Sequence, residues 1–178
     1  MPLGGQSVPI PVQPPEQPVV LLPVPYFEQE QSNWCWAACC QMFLRFRDPQ
    51  NTERQCDMAS RQFNGRCCAS PQSAACDLGC WPEDAYDAYS VAYAKQGSAA
   101  SYRAVKAELA AGRPVQVYYE WGPLGMSSHV AMVSGHYADK SLEVLDPSPT
   151  WGRQRRAFAQ VRSAYGLGSW EKTYKGLQ

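Results

Sequence analysis

The chain has 178 residues, 45% of them apolar, which is enough for one globular domain with a buried core. Its 16 basic and 16 acidic side chains give a formal net charge of zero, so the composition indicates no nucleic-acid partner. The sequence holds no apolar run of about 18 residues or more, and no membrane span is predicted.

The N-terminal segment is rich in proline, which favours extended conformations and cannot form a central strand. We therefore expect residues 1–17 to form a tail or linker and residues 18–178 to form the domain, with Val19–Tyr26 running extended along it. Prolines interrupt every apolar stretch and no basic segment precedes one, so we recognise no signal peptide. The expectation is a mature fragment, or export by a route that needs no such signal.

A helix is predicted to begin at Cys35, where the polar residues 31–33 give way to apolar residues at three- and four-residue spacing. Pro49 follows its predicted end. The first turn of a helix carries unpaired N–H groups and the positive end of the helix dipole, and both favour the thiolate of Cys35. Gln29, six residues upstream, can turn its side-chain amide toward the sulfur as an oxyanion donor. The alternative interpretation is an inert cysteine in a core helix.

Eight cysteines are present, and five of them fall within residues 56–80. Dense cysteine in a segment with few periodic apolar residues, apart from a short helix at Met58–Phe63, indicates disulfide bonds and an oxidising destination. With Cys35 free, we expect up to three bridges, including one or more from Cys39 or Cys40 into the 56–80 loop. Zinc is the alternative. The sequence has no Cys-x2-Cys pair and two histidines, so we expect neither a metal nor another cofactor.

Two more helices are predicted before the strands begin. Pro82 starts the first helix and Gly97 ends it. Three of its tyrosines share one face, which we expect to pack on the core, with a substrate-contacting stripe as the alternative: Tyr86, Tyr89 and Tyr93. Ser101 caps the second helix, and Gly112 ends it.

The second half of the chain is rich in residues that favour strands. Strands are predicted at Val115–Trp121, His129–Tyr137 and Leu142–Leu145, with a turn between the last two. A short helix near Ala157–Tyr165 and an edge strand at Trp170–Tyr174 complete the chain. Helices followed by strands predict the α+β class.

A thiolate nucleophile needs a base, and this sequence offers His129 and His136. His129 opens a predicted strand directly after a glycine-bearing loop, so it lies at one end of the sheet. The hairpin that follows places Asp146 at the same end, where its carboxylate can orient the imidazole. Asp139, the alternative orienting residue, lies near His136 at the other end. The predicted catalytic residues are therefore Cys35, His129 and Asp146.

Gln29 and the run Asn33-Trp34-Cys35-Trp36-Ala37-Ala38 resemble the active-site segment of the papain-like cysteine peptidases. Three later motifs extend the resemblance from about Val24 to the C-terminus: His129-Val130, Gly135-His136-Tyr137 and Asp146-Pro147. The chain is most similar to the compact bacterial forms, which include secreted avirulence effectors and are related to double-glycine leader peptidases. It departs from papain in lacking the Cys-Gly-Ser run before the nucleophile and in placing His129 only 94 residues after Cys35.

The resemblance implies an N-terminal helical part that carries Cys35, packed on a C-terminal antiparallel sheet that carries His129 and Asp146. It also implies an endopeptidase that works through a thioester acyl-enzyme, with Gln29 as the oxyanion donor. We expect a monomeric protease, effector or toxin secreted or exported from a bacterial cell, with a protein or peptide substrate and a cognate inhibitor or immunity protein. The alternatives are a thiol amidase, an acyltransferase on the same scaffold, or a catalytically dead, disulfide-rich binding module.

Overall fold

The computed structural model describes residues 17–122 and 127–178. The predicted proline-rich tail, apart from Gln17, and part of the glycine-bearing loop before His129 lie outside these residues. No helix in the described part of the chain is long and apolar enough to cross a membrane.

Three helices come early in the chain, and two more are interspersed with the strands. The helices of the described residues are α1 (Cys35–Arg47), α2 (Gln55–Phe63), α3 (Pro82–Ala88), α4 (Tyr102–Ala110) and α5 (Phe158–Arg162). The strands are β1 (Val20–Leu21), β2 (Ala94–Gln96), β3 (Val115–Trp121), β4 (Ser127–His136), β5 (Ser141–Leu145), β6 (Arg153–Ala157) and β7 (Gly168–Lys175). A single 3-10 turn, Ala164–Gly166, precedes β7.

The strands form one antiparallel sheet in the order β2-β7-β3-β4-β5-β6, and β1 pairs with the end of β4. Val20 lies opposite His136, and Leu21 lies opposite Gly135. A Cβ at position 135 would lie 2.7 Å from the backbone oxygen of Val20. Glycine at this position therefore lets the N-terminal segment approach β4 closely enough to pair with it.

Helices cover both faces of the sheet, so most residues of its central strands are buried. Alternate residues along a strand point to opposite faces. Tyr118 and Met132 belong to the core beneath α1, α2 and α3, whereas Val117 and Ala131 belong to a second core beneath α4 and α5. The predicted α+β arrangement, with the Cys35 helix packed on an antiparallel sheet that carries His129 and Asp146, is confirmed.

Most of the predicted elements lie where the sequence places them. The helix begins at Cys35 as predicted, and β3 has the predicted bounds. Ser101 caps α4, because its hydroxyl accepts a hydrogen bond from the Ala104 N–H at 3.2 Å. The hairpin of β4 and β5 also matches the prediction to within two residues.

The predicted helix from Pro82 to Gly97 is wrong in its second half. It ends at Ala88, Ser90 adopts a positive φ of 52°, and Ala94–Gln96 becomes β2. Pairing of β2 with β7 outweighs the helical tyrosine spacing in this segment. The tyrosine rings still meet, because Tyr93 lies 5.8 Å from Tyr86 and so joins the core from outside the helix.

Two strands differ from the prediction. β7 is not an edge strand, because it lies between β2 and β3. β2 and β6 are the edge strands of this order. β6 was not predicted, since its sequence is arginine-rich and alternates between exposed and partly buried residues. Charged residues on an edge strand discourage pairing with another chain. They also leave the strand without the alternating apolar residues from which strands are predicted.

Disulfide bonds join Cys56 to Cys68 and Cys67 to Cys76, which confirms the predicted cross-linked segment. The predicted bridge from α1 into this segment is wrong, since Cys39 and Cys40 are free and buried. Cys39 points at the sheet, where its Sγ lies 3.7 Å from the backbone oxygen of Val130. It therefore faces away from the disulfide-bonded loop.

Candidate active site

Cys35 is the first residue of α1, and it lies partly exposed at the opening of a cleft. Trp34 occupies the position before the helix, and no side chain caps the helix start. The first backbone N–H groups of α1 therefore lack a capping acceptor and lie beside the sulfur. Ala37 and Ala38 are fully buried, which fixes this end of the helix in the core.

Two buried tryptophans flank Cys35 and bond to the loop that follows the disulfides. The Trp34 indole N–H donates to the backbone oxygen of Cys76 at 2.8 Å, and the Trp36 indole N–H donates to that of Leu78 at 3.0 Å. Asn33 adds two more bonds to Asp77, at 2.8 and 2.9 Å. These hydrogen bonds, and not the predicted disulfide bond from α1, connect the start of the helix to the loop.

His129 lies near the start of β4 and Asp146 directly follows β5, so the two meet at one end of the sheet. Nε2 of His129 lies 2.7 Å from Oδ1 of Asp146, and both side chains are buried. The other ring nitrogen remains for Cys35, which lines the same cleft as His129. The structure thus brings together Cys35, His129 and Asp146.

The pKa of His129 follows from competing effects. Burial lowers it, but the interactions of the ring with Asp146 and Cys35 outweigh the burial and raise the pKa to about 9. The imidazole is therefore protonated at neutral pH. A protonated His129 beside the sulfur favours a thiolate–imidazolium pair.

Asp146 is completely buried and accepts two hydrogen bonds besides that of His129. The Ser148 backbone N–H donates to Oδ1 at 2.9 Å, and the Tyr165 hydroxyl donates to Oδ2 at 2.8 Å. Sequence reasoning did not identify Tyr165. Its backbone has a φ of 63°, which is rare for a tyrosine and gives no signal in the sequence. This conformation aims the hydroxyl at the carboxylate.

Aromatic rings from β3 cover the imidazole. Trp121 stacks on His129 with 4.7 Å between ring centroids, and Tyr119 lies nearly parallel to it at 6.4 Å. Such stacking restricts the ring to one plane and keeps water from the His129–Asp146 hydrogen bond. Sequence reasoning missed Trp121 as well, although the β3–β4 pairing places it beside the predicted base.

Gln29 lines the same cleft, but its amide is engaged in the turn before Cys35. Nε2 donates to the backbone oxygens of Gln31 at 2.9 Å and Ser32 at 2.8 Å, and Oε1 is buried without a partner. Its backbone N–H donates to the oxygen of Pro147 at 2.9 Å, which ties Gln29 to the residue after Asp146. The oxyanion role of Gln29 stays a prediction.

The alternative histidine and aspartate lie elsewhere. His136 is buried opposite Val20 of β1, at the far end of β4. Asp139 accepts hydrogen bonds from the backbone and hydroxyl of Ser141 and pairs with Arg155. Neither side chain belongs to the cleft that contains Cys35.

The cleft has a volume of about 620 Å³ and separates the α1 side from the sheet. The helical side contributes the Cys35 segment and the loop 79–81, and the sheet contributes the ends of β3 and β4.

Cys80 also lines the cleft, but burial and the neighbouring Asp84 and Glu83 raise its pKa to about 12. Burial likewise raises the pKa of Cys40 to about 12, so these thiols stay protonated and are poor nucleophiles.

A metal site is not indicated by the donor atoms of the described residues. Cys56, Asp57 and Cys68 bring three such atoms within 4.8 Å of one another. The two sulfurs are joined in a disulfide, so they cannot supply the thiolates that a metal would need.

The sequence matches the model of the Peptidase_C39 like family over residues 21–177. No curated protein sequence matches it significantly. A solved structure described as a C39-like peptidase from Bacillus anthracis is similar, with a TM-score of 0.60, 16% identity, and coverage of 89% of this chain and 98% of that one.

The peptidase domain of Streptococcus ComA, a bi-functional ABC transporter involved in a quorum-sensing pathway, is also similar in structure. Its TM-score is 0.56 at 10% identity, with coverage of 85% of this chain and 96% of that one. At such identities the likeness concerns the fold, and it confirms the predicted papain-like arrangement of helical part and sheet.

Proposed function

Since the chain belongs to the Peptidase_C39 like family, we propose that it is a cysteine peptidase that hydrolyses peptide bonds through a thioester acyl-enzyme. One observation carries the proposal: His129, held by the buried Asp146 at 2.7 Å, lines the same cleft as Cys35, which lies at the start of a helix. A nucleophile, a base and an orienting carboxylate in this order are what acyl transfer requires.

The reaction begins with the Cys35 thiolate, whose proton resides on His129. The sulfur attacks the carbonyl carbon of the scissile bond, and the carbonyl oxygen gains the negative charge. The tetrahedral intermediate collapses as His129 donates its proton to the leaving amine, which forms the thioester. A water molecule then gives its proton to His129 and attacks the thioester, releasing the carboxylic acid and the Cys35 sulfur.

Charge on the carbonyl oxygen needs donors beside the sulfur. The backbone N–H of Cys35 is one, because it belongs to the first turn of α1 and has no intrahelical acceptor. We assign the Gln29 amide as the second donor. This assignment requires one of its two bonds to Gln31 and Ser32 to be shared with, or given up to, the substrate oxygen.

An epoxide inhibitor of thiol peptidases, read by peptide mapping in a mass spectrometer, tests the nucleophile. The expected result is one adduct on Cys35, absent in Cys35→Ala and strongly slowed in His129→Ala. Cys80→Ser is the matched control, because Cys80 is the other free cysteine that lines the cleft. An adduct on Cys80 alone, or equal labelling of wild type and His129→Ala, would contradict the proposal.

Digestion of a peptide library in ¹⁸O-labelled water distinguishes hydrolysis from acyl transfer. A peptidase places ¹⁸O in each new C-terminal carboxylate, whereas an acyltransferase joins the acyl group to an added amine. Amine adducts in place of ¹⁸O-labelled C-termini would show that acyl transfer dominates.

We also propose that the protein acts outside a bacterial cell, as a secreted protease or effector. Its two disulfide bonds support an oxidising destination, because such bonds do not persist in a reducing cytosol. Mass spectrometry of the non-reduced protein, isolated from the culture medium of its native host, tests this. Its absence from the medium, or free thiols at all four of these positions, would refute the proposal.

A further inference from the structure

One wall of the cleft is made of two stacked aromatic rings. Trp81, just before α3, and Tyr118, on β3, have ring centroids 5.4 Å apart and an interplanar angle of 26°. Both line the cleft that contains Cys35 and His129. Trp81 is 47% exposed, a large value for tryptophan, so its ring offers apolar surface to whatever enters the cleft.

A lysine lies against both of these rings. Nζ of Lys172, on β7, is 4.1 Å from the Trp81 ring centroid and 4.2 Å from that of Tyr118. Lys172 and Tyr118 are directly paired across β3 and β7, which fixes the lysine beside this wall. The negative faces of the rings hold the ammonium group in place.

The charge of Lys172 is not neutralised by a partner. Among residues 17–122 and 127–178, no carboxylate forms an ion pair with it, and the nearby Glu83 is engaged by Lys95 and Tyr174. A partly buried cation without a counterion, beside an open cleft, attracts an anionic ligand.

We propose that Trp81, Tyr118 and Lys172 form a substrate subsite that accepts an acidic side chain, aspartate or glutamate, near the scissile bond. This inference rests on the proposed peptidase function and names its substrate class. Lys172 does not itself line the cleft. The methylene groups of a glutamate therefore pack on the exposed Trp81 ring, and its carboxylate extends toward the Lys172 ammonium behind that ring. An aromatic wall alone would equally suit a neutral apolar side chain, so the expected preference for an acidic side chain depends on Lys172.

The test uses a set of blocked octapeptides that differ at one position at a time, with Glu, Gln, Lys or Phe at each position flanking the cleavage site. We expect wild-type kcat/KM to be about tenfold higher for Glu than for Gln at one position, a difference that corresponds to about 1.4 kcal/mol. Lys172→Met should abolish this ratio, and Lys172→Glu should reverse it in favour of Lys.

Lys106→Glu is the matched control, because Lys106 also lies over a tyrosine ring, but that ring belongs to Tyr102, which does not line the cleft. This variant should keep the wild-type preference. A Glu preference that survives in Lys172→Met would overturn the subsite. So would a wild-type enzyme that prefers Phe or Gln over Glu at every position.

Binding of the same peptides to the Cys35→Ala protein, measured by calorimetry, separates the subsite from the chemistry. If wild type hydrolyses none of the peptides and the epoxide leaves Cys35 unlabelled, the proposed function fails. A tighter Kd for Glu than for Gln peptides, lost in the Cys35→Ala, Lys172→Met double variant, would still support the subsite. Equal Kd values for the two would overturn it.

Discussion

The indole N–H of Trp34 donates to the backbone oxygen of Cys76 at 2.8 Å, and this bond ties the residue before the nucleophile to a disulfide-bonded cysteine. Asp77 accepts two further hydrogen bonds from Asn33, and Leu78 accepts one from the Trp36 indole at the same helix start. Gly79, Cys80 and Trp81 follow directly and form part of the cleft wall. The Cys67–Cys76 disulfide therefore supports the shape of the active site as well as the loop.

Removal of this disulfide should reduce both stability and activity. In the double variant Cys67→Ser, Cys76→Ser we expect the free energy of unfolding to fall by roughly 3 kcal/mol. We also expect a clear rise in KM, because the 79–81 wall loses its anchor. Removal of the other bridge, in Cys56→Ser, Cys68→Ser, is the matched control and should lower Tm with little effect on KM. Thermal unfolding and steady-state kinetics measure the two effects, and an equal KM in both variants would show that the loop does not shape the cleft.

Tyr165 should act as a positioning residue for Asp146. Tyr165→Phe removes the hydroxyl that donates to Oδ2 at 2.8 Å, so the carboxylate is less constrained and the imidazole it orients is less well aligned. We expect kcat to fall about tenfold with KM nearly unchanged, which is the pattern of a lost transition-state interaction.

Tyr102→Phe provides the control for Tyr165→Phe. The Tyr102 hydroxyl also donates to a buried acceptor, the backbone oxygen of Tyr137 at 2.9 Å, but far from the cleft. Its loss should lower stability and leave kcat intact. Equal kcat values in the two variants would argue against a positioning role for Tyr165.

His129 and Asp146 lie together as the sequence predicted, because their meeting depends on short-range order. A hairpin joins β4 and β5, so a residue near the start of one strand meets a residue just past the end of the other, and His129 and Asp146 follow from strand patterns alone. Cys35 follows from the change between polar residues and helical spacing. These signals lie within segments of about 20 residues.

The parts that the sequence did not predict depend on distant segments. Tyr165 reaches Asp146 through an unusual backbone conformation that no residue pattern encodes. Trp81 meets Lys172 because β7 inserts between β2 and β3, and the sequence suggested an edge position for this strand. The predicted disulfide pairing was wrong for the same reason, because the spacing of cysteines in the sequence restricts which of them can pair but does not select the partners.

The pH dependence should report the raised pKa of His129. The imidazolium must protonate the leaving amine, so kcat/KM should fall as the pH rises through about 9. Asp146→Asn removes the carboxylate that stabilises the charged ring, while the ring stays buried. The pKa of His129 then falls, and we expect the alkaline limb to move down by about one to three pH units. An alkaline limb at the same pH in wild type and Asp146→Asn would contradict this assignment.

The last prediction concerns the two possible roles of Gln29. Its amide either donates to the oxyanion or only braces the turn through Gln31 and Ser32. Gln29→Met keeps the length of the side chain and removes both N–H groups. If Gln29 donates to the oxyanion, kcat of this variant should fall about 10²- to 10³-fold while the epoxide still labels Cys35. If Gln29 only stabilises the turn, Tm should fall and kcat should stay nearly unchanged.

Gln55→Met is the matched control for Gln29→Met. The Gln55 amide donates to the Glu28 oxygen at 2.7 Å and accepts from the Glu30 N–H at 2.9 Å, so it clamps both neighbours of Gln29 without lining the cleft. Because the Gln55 hydrogen bonds already hold the backbone on both sides of Gln29, loss of the Gln29 amide should displace this backbone little. If Gln29 is an oxyanion donor, its loss should therefore lower kcat alone. Parallel falls in Tm and kcat for both variants would assign Gln29 to the turn and leave the Cys35 N–H as the assigned oxyanion donor.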